Sequence, residues 1–424
     1  MGKNRLVIFG ASALLICAGI ILFISFGRSP AALRSATLHL LIPAGMHEDA
    51  WRKTAAQYHD RISHITLMIE AVDPRVYEST LLDRLAAGTG PDLFLLKNTW
   101  IKAHGTKVMP MPAALSSSLP VKEFNRLFVD IASQDLITKQ EELLGIPLSI
   151  DTLALFYNKD FFNAAGIAVV PTTWESIIAS IPKLTRISEN REIERSTIAT
   201  GSGKNTHHAL EIMSVLLMQN GVNILNENGG VALEQGADHA LSFYTSFADR
   251  SSSRYTWDER FGDSLDAFAD GKSAMAFGFL EDVADLRARN PHLNLGVAPF
   301  PQPETHDNAV TFGNYFFPVV AKQSPYTPEA WDFLLFLASR EGAEMWNEAA
   351  GTAPARRDLI QTGAETQEKD IFFTQTLIAR NWAIPHEATV RTLFNEAADA
   401  IITHQSTAEH ARERLRQRLG ALIP

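Results

Sequence analysis

Between Ala36 and Leu96 the chain alternates between two hydrophobic rhythms. The runs ATLHLLI (36–42), ITLMIEA (65–71) and DLFLL (92–96) are short, continuous and apolar, as buried strands are. Between them Glu48–His59 and Tyr77–Ala87 repeat apolar residues at helical spacing. Leu81, Leu82 and Leu85 share one face of the second segment, and Gly88-Thr89-Gly90-Pro91 ends it. Strand, helix, strand, helix, strand at this spacing predicts a βαβαβ unit on a parallel sheet. No G-x-G-x-x-G follows the first strand, so the unit lacks a dinucleotide-binding turn.

A second α/β stretch opens near Gly145 with the extended run GIPLSIDTLALFYNKDFF. Helices are expected at Thr173–Ser180 and His207–Gln219, and strands at SAMAFGF, Asn294–Phe300 and Gly313–Ala321. Pro299, Pro301 and Pro303 predict a stiff crossover. Helical patterns return at Pro328–Ala349 and from Ala388 to the end. With 424 residues, a prior of about 150 per domain gives two or three domains.

The longest apolar run is N-terminal. Leu6–Phe26 holds 21 residues without a charge, long enough as a helix to cross a hydrocarbon layer of about 30 Å. Lys3 and Arg5 precede it, which orients the body outward. The segment reads as an uncleaved anchor or, with Ser29-Pro30-Ala31 as cleavage site, as a signal peptide; a buried core helix is the third reading. Ile16 before Cys17 removes the small residue that a lipoprotein signal needs.

Charge divides along the same line. Residues 1–36 carry +4 and the remaining 388 carry −14, within a total of −10. So acidic a body excludes nucleic acid as the main partner. Cys17 is the single cysteine, so the body has no disulfide and no thiolate zinc site.

The segments GIPLSIDTLALFYNKDFFNAAGI and PTTWES, with RLAAGTGPDLFLL before them and AFADGKSAMAFGF and GTAPARRDL after, resemble the extracellular solute-binding proteins of ABC importers. The similarity is to the maltose and multiple-sugar branch, family 1, and runs from about residue 37 to 420. It implies an α/β fold of the two-lobed periplasmic-binding type (type II), each lobe a mostly parallel sheet flanked by helices, behind one N-terminal transmembrane helix. The implied parts are an anchor at 1–36, a first lobe at 37–147 and 302–350, and a second at 148–301 and 351–424. Crossovers would fall near Ile146–Ser149, Phe300–Pro303 and Gly351. The implied function is an extracytoplasmic binding subunit that closes on a sugar and delivers it to an ABC permease at the membrane. Another solute, a tethered sensor or a glycan-acting enzyme are the alternatives.

Sugar recognition wants aromatic platforms together with carboxylates and amides. His47, Asn98 and Trp100 follow the first and third strands, at the carboxyl edge where open sheets hold ligands. The resemblance adds Asp151 just after the first crossover, and Phe279 and Glu281 after SAMAF. It adds Asn314 and Tyr315 on the returning strand, and Trp382 in a late loop. Many relatives carry tryptophan where this chain has Phe279-Leu280-Glu281. Trp174, Trp331 and Trp346 read as structural.

Catalytic patterns are missing. Gly201-Ser202-Gly203-Lys204 has Ile198 where a phosphate loop needs its first glycine, and Asn205 after the lysine. The pairs Glu141-Glu142, Asp258-Glu259 and Glu281-Asp282 are adjacent residues and cannot flank a glycosidic bond alone. No G-x-S-x-G is present. His207-His208, with Glu211 four residues after His207, could offer metal ligands, but no H-E-x-x-H is present and the segment reads as a polar helix start, with metal binding or contact to a ligand as the alternatives. The sequence therefore predicts a binding protein without enzyme activity, cofactor or metal.

Overall fold

The computed structural model describes residues 34–190, 192–226, 229–305 and 309–422. The expected membrane segment lies outside them. Among the described residues no helix is long and apolar enough to cross a membrane.

The first unit follows the hydrophobic pattern closely. β1 (Ala36–Pro43), α1 (Glu48–Arg61), β2 (Ile65–Val72), α2 (Tyr77–Ala86) and β3 (Leu93–Lys97) succeed one another. β1 pairs in parallel with β2 from Ala36↔Ile65 to Pro43↔Val72, and with β3 at Leu40↔Leu93. Tyr77 pins α2 to this sheet: its buried hydroxyl lies 2.7 Å from Leu95 O and accepts from Leu95 N at 3.0 Å.

The chain then passes through β4 (Asp151–Thr152) into β5 (Ala154–Asn158). α3 (Trp174–Leu184) starts from a capping box in which Thr173 and Ser176 bond each other's backbone N–H. α4 (Ala209–Gln219), β6 (Met275–Gly278), α5 (Asp282–Arg289) and β7 (Leu295–Ala298) complete this part. β6 and β7 both pair antiparallel with β5, so the second sheet corrects the parallel expectation. Apolar runs of strand length carry no direction, and here the central strand meets two neighbours that run back towards the chain's entry point.

β8 (Thr311–Asn314) and β9 (Phe316–Val320) return the chain to the first sheet, where β9 pairs antiparallel with β3. α6 (Thr327–Ala338) and α7 (Arg340–Ala350) follow, and β10 (Ala379–Arg380), α8 (Glu387–Ile402) and α9 (Ala408–Leu422) end the fold.

Two large cores result. Leu38, Phe94, Phe124, Trp331 and Phe333 belong to one; Trp174, Leu210, Phe277, Phe300 and Phe394 belong to the other. The chain changes core within three short strands that form one sheet in the order β10-β8-β4. Ile150 lies in the first core and Leu153 in the second; Phe312 in the second and Tyr315 in the first; Ala379 in the first and Trp382 in the second. Among the described residues the chain thus changes core at 312–315, beyond Phe300–Pro303, and at 379–382; it also touches a third, smaller core beside Gly351, where Ala353 joins Phe156, Trp257 and Phe372. The proline-rich segment is held on the second core by amides: Trp174 Nε1 donates to Gln219 Oε1 (2.8 Å), Gln219 Nε2 donates to Pro301 O (2.8 Å), and Gln302 Nε2 donates to Val310 O (3.0 Å).

Candidate functional site

A cavity of about 620 Å³ lies between the two cores, within the size range of small-molecule sites. From the first core it is lined by His47, Trp51, Lys97, Tyr315, Phe316 and Trp346. From the turn after β6 and from α5 come Leu280, Glu281 and Arg287, and the crossover strands add Asp151 and Asn314.

The aromatic wall is built by two helices. His47 precedes α1 in a left-handed conformation (φ 56°), and Trp51 follows one turn later. Trp346 comes from α7, whose end at Gly351 (φ 70°) needs a residue that tolerates positive φ. The rings of His47 and Trp51 each meet Trp346 edge-on at 5.5 Å. Burial holds the His47 imidazole below its ordinary pKa, favouring the neutral ring. Among the described residues Trp51 Nε1, Trp346 Nε1 and Asn314 Oδ1 have no hydrogen-bond partner.

The acidic wall comes from the opposite side. Asp151 Oδ1 accepts from Thr152 N (2.8 Å) and Leu280 N (2.9 Å), and Oδ2 accepts from Glu281 N (3.2 Å). One carboxylate therefore ties the crossover strand to the turn before α5. Burial and the nearby Glu281 charge push the Asp151 carboxyl well up, against the pull of the two amides of the turn. Burial, with Asp282 beside it, also raises Glu281. Three amide donors on Asp151 suit a positioning role better than proton transfer.

The basic side chains of the wall are already engaged. Lys97 Nζ lies 2.7 Å from Glu387, which also accepts from Arg391 (3.2 Å), and Arg391 binds Glu211 at 2.6 and 2.9 Å. This alternating chain of charges links β3 of the first core to α8 and α4 of the second. Arg287 pairs with Glu368 at 2.7 Å.

Of the residues expected from sequence, His47, Asp151, Glu281, Asn314 and Tyr315 come together on this cavity. The Tyr315 hydroxyl, however, donates to buried Asp135 (2.8 Å). Asn98 is a clamp beneath the site: Nδ2 donates to Gly313 O (3.0 Å) and Oδ1 accepts from Tyr315 N (3.2 Å). Trp100 packs edge-on against Phe316 (5.8 Å), beside the cavity and outside its lining. Phe279 and Trp382 are second-core residues. The Phe279 ring stacks edge-on with His208, and Trp382 Nε1 donates to Ser214 Oγ (3.0 Å). Both follow strand ends, where one residue of register decides between cleft and core.

Lys97 and Trp51 join the lining without a local signal in the sequence, while Trp346 is the core helix residue its pattern predicts and reaches the lining as well. Trp346 sits one turn before the glycine that ends its helix, and that proximity to a helix end was the available signal. Nothing local distinguishes Trp51 from a core residue.

Residues 53–374 match the family model of the bacterial extracellular solute-binding proteins. A binding protein of Brucella abortus (strain 2308) is 24% identical over 310 residues, 69% of each chain. The sn-glycerol-3-phosphate-binding periplasmic protein of Escherichia coli (strain K12) is 23% identical over 313 residues, 68% of each. Among solved structures, the sugar-binding protein MalE of Xanthomonas citri superposes with a TM-score of 0.77 at 18% identity, covering 91% of this chain and 97% of that one. A solute-binding protein of Thermotoga lettingae bound with α-D-tagatose gives 0.70 at 21% identity, covering 92% and 100%. At such identities the structural matches establish the two-lobed fold alone.

Proposed function

Because the chain belongs to the family of bacterial extracellular solute-binding proteins, we propose that it is the extracytoplasmic binding subunit of an ABC importer for a neutral sugar or oligosaccharide. The observation that carries this reading is the make-up of the cavity: an aromatic wall of His47, Trp51 and Trp346 faces the acids Asp151 and Glu281. Sugar C–H faces suit the rings, and sugar hydroxyls donate to carboxylates. The nine sequence candidates enter the reading unequally, with Asp151, Glu281, Asn314 and His47 as the ligand contacts.

A phosphorylated polyol, the ligand named for the Escherichia coli relative, fits this wall poorly. Lys97 and Arg287 are both held by carboxylates, and two further acids face the space. A phosphate would meet repulsion without a free cation.

In this reading β4, β8 and β10 form the hinge, because the chain changes core within these short strands, and ligand between the lobes favours a closed state that the permease recognises. Leu6–Phe26 would hold the body at the outer face of the membrane or direct its export.

Calorimetry of the full chain against neutral mono- and oligosaccharides and against sn-glycerol 3-phosphate tests the ligand class, with small-angle scattering to follow compaction. A neutral sugar is expected to bind and shrink the particle. Asp151→Asn should weaken that binding at least about tenfold, the loss of one charge-assisted hydrogen bond. Binding of the phosphate ester with no neutral sugar bound would sink the reading.

A further inference from the structure

We propose that His207, His208 and Asp282 form a binding site for one divalent transition-metal ion of the zinc class, on the second lobe and separate from the ligand cavity. One ligand atom from each of the three residues lies within 4.8 Å of the others. The two rings pack edge-on at 4.6 Å, and His208 Nε2 stands 2.7 Å from Asp282 Oδ2, where a proton now holds the place an ion would take. Two imidazoles and a carboxylate are the donor set of zinc, nickel or copper, whereas calcium and magnesium take oxygen alone.

The sequence suggested Glu211 as third partner, four residues after His207. Folding removes it, because Arg391 takes both its oxygens, and brings Asp282 from α5 instead.

Two further observations support an ion here. Asp263 Oδ2 lies 2.9 Å from His207 Nδ1, the outer carboxylate that orients a metal-binding histidine. His207, Asp263, Asp266, Asp282 and Asp285 also line one open depression of about 520 Å³. Arg289, also on the lining, pairs with Asp266 (2.7 Å) and with Asp270 (3.0 Å), which leaves Asp263, Asp282 and Asp285 as the acids around the histidines. α4 and α5 both begin at the site, and their positive ends oppose a cation; Asp263, Asp282 and Asp285 on the rim counter that field. His207 is half-exposed, so an ion can enter without unfolding.

The test uses the full chain stripped with chelator and titrated with Zn²⁺, and separately with Co²⁺ for its visible spectrum. One ion per chain is expected, with a dissociation constant of about 10 µM or tighter. His207→Ala and Asp282→Asn should each weaken binding more than about tenfold, and Asp263→Asn by about tenfold or more through the loss of ring orientation. His292→Ala, which removes an exposed histidine elsewhere, should leave binding unchanged. X-ray absorption of the zinc-loaded wild-type chain, which needs no variant to fold, should show two imidazoles at the ion. Absence of stoichiometric binding, fewer than two imidazoles, or equal affinity in wild type, His207→Ala and Asp282→Asn would each overturn the assignment.

Discussion

Glu211 is buried in the second core, where a lone carboxylate would be costly, and it persists because Arg391 binds both its oxygens. Burial alone would raise its pKa, but the Arg391 hydrogen bonds and charge bring it down to about 2 from an ordinary 4.5. A depressed carboxyl stabilises the fold fully above its unfolded pKa, and that contribution is lost as pH falls towards the folded value. Arg391→Met leaves the charge uncompensated and should cost about 3–5 kcal/mol in urea unfolding at pH 7. The difference from wild type should shrink as pH is lowered from 4.5 towards 2. Asp135 has the opposite sign. Burial raises it to about 7, against hydrogen bonds from Tyr315 and Asn381. The folded state then holds a proton that the unfolded state has released, so this group's contribution falls as pH rises from about 4 to 7. Melting temperatures measured from pH 5 to 8 should fall less steeply in Asp135→Asn than in wild type. Neither partner could be read locally: Glu211 and Arg391 lie 180 residues apart, and so do Asp135 and Tyr315.

The elements show where periodicity stops being informative. The helical pattern at Pro328–Ala349 is continuous in sequence, yet the structure breaks it at Ser339, which leaves the helical region and accepts a bond from Gly342 N (3.1 Å) as the cap of α7. The elbow needs Gly342, because a Cβ there would lie 2.2 Å from Phe336 O. Gly342→Ala should force α6 and α7 apart and cost about 1–3 kcal/mol, measured as a lowered urea midpoint with unchanged slope. The break also sets the direction of α7 and so delivers Trp346 to the cavity. The last helical pattern divides likewise into α8 and α9 around residues 403–407. The serine and glycine were visible in the sequence, but a capping serine inside an amphipathic run looks like any polar position until a neighbour fixes the bend. By contrast, β1 to β3 and the helices between them were legible to within two residues, since each has one buried face and one pattern.

At the scale of the molecule, the site exists only because three thin crossovers bring two cores face to face. Asp151 and Asn314 lie on the crossover strands and Tyr315 follows directly, and all three were legible through the family resemblance. His47 and Glu281 reach the same space from different cores. Burial holds both acids of the cavity above the ordinary carboxylate range in the free protein. Ligand hydroxyls bind best to ionised acceptors, so sugar affinity should rise with pH as these raised carboxyls ionise, above the range where an ordinary carboxylate does. Calorimetry at fixed ionic strength checks this, and Glu281→Gln should flatten the profile. A flat profile in wild type would remove these carboxylates from the ligand contacts.

The sequence alone determined the order and most of the extents of the secondary elements, the family, the acidic body and the exclusion of nucleotide-binding motifs. These follow from local periodicity and from ordered segments, which a chain carries without folding. Tertiary structure decided which aromatic rings face the cavity, where the chain changes core, the direction of the second sheet and which acid meets each cation. The contacts that decide them join distant segments, as Glu211 and Arg391 do across 180 positions, and only packing brings these within bonding distance.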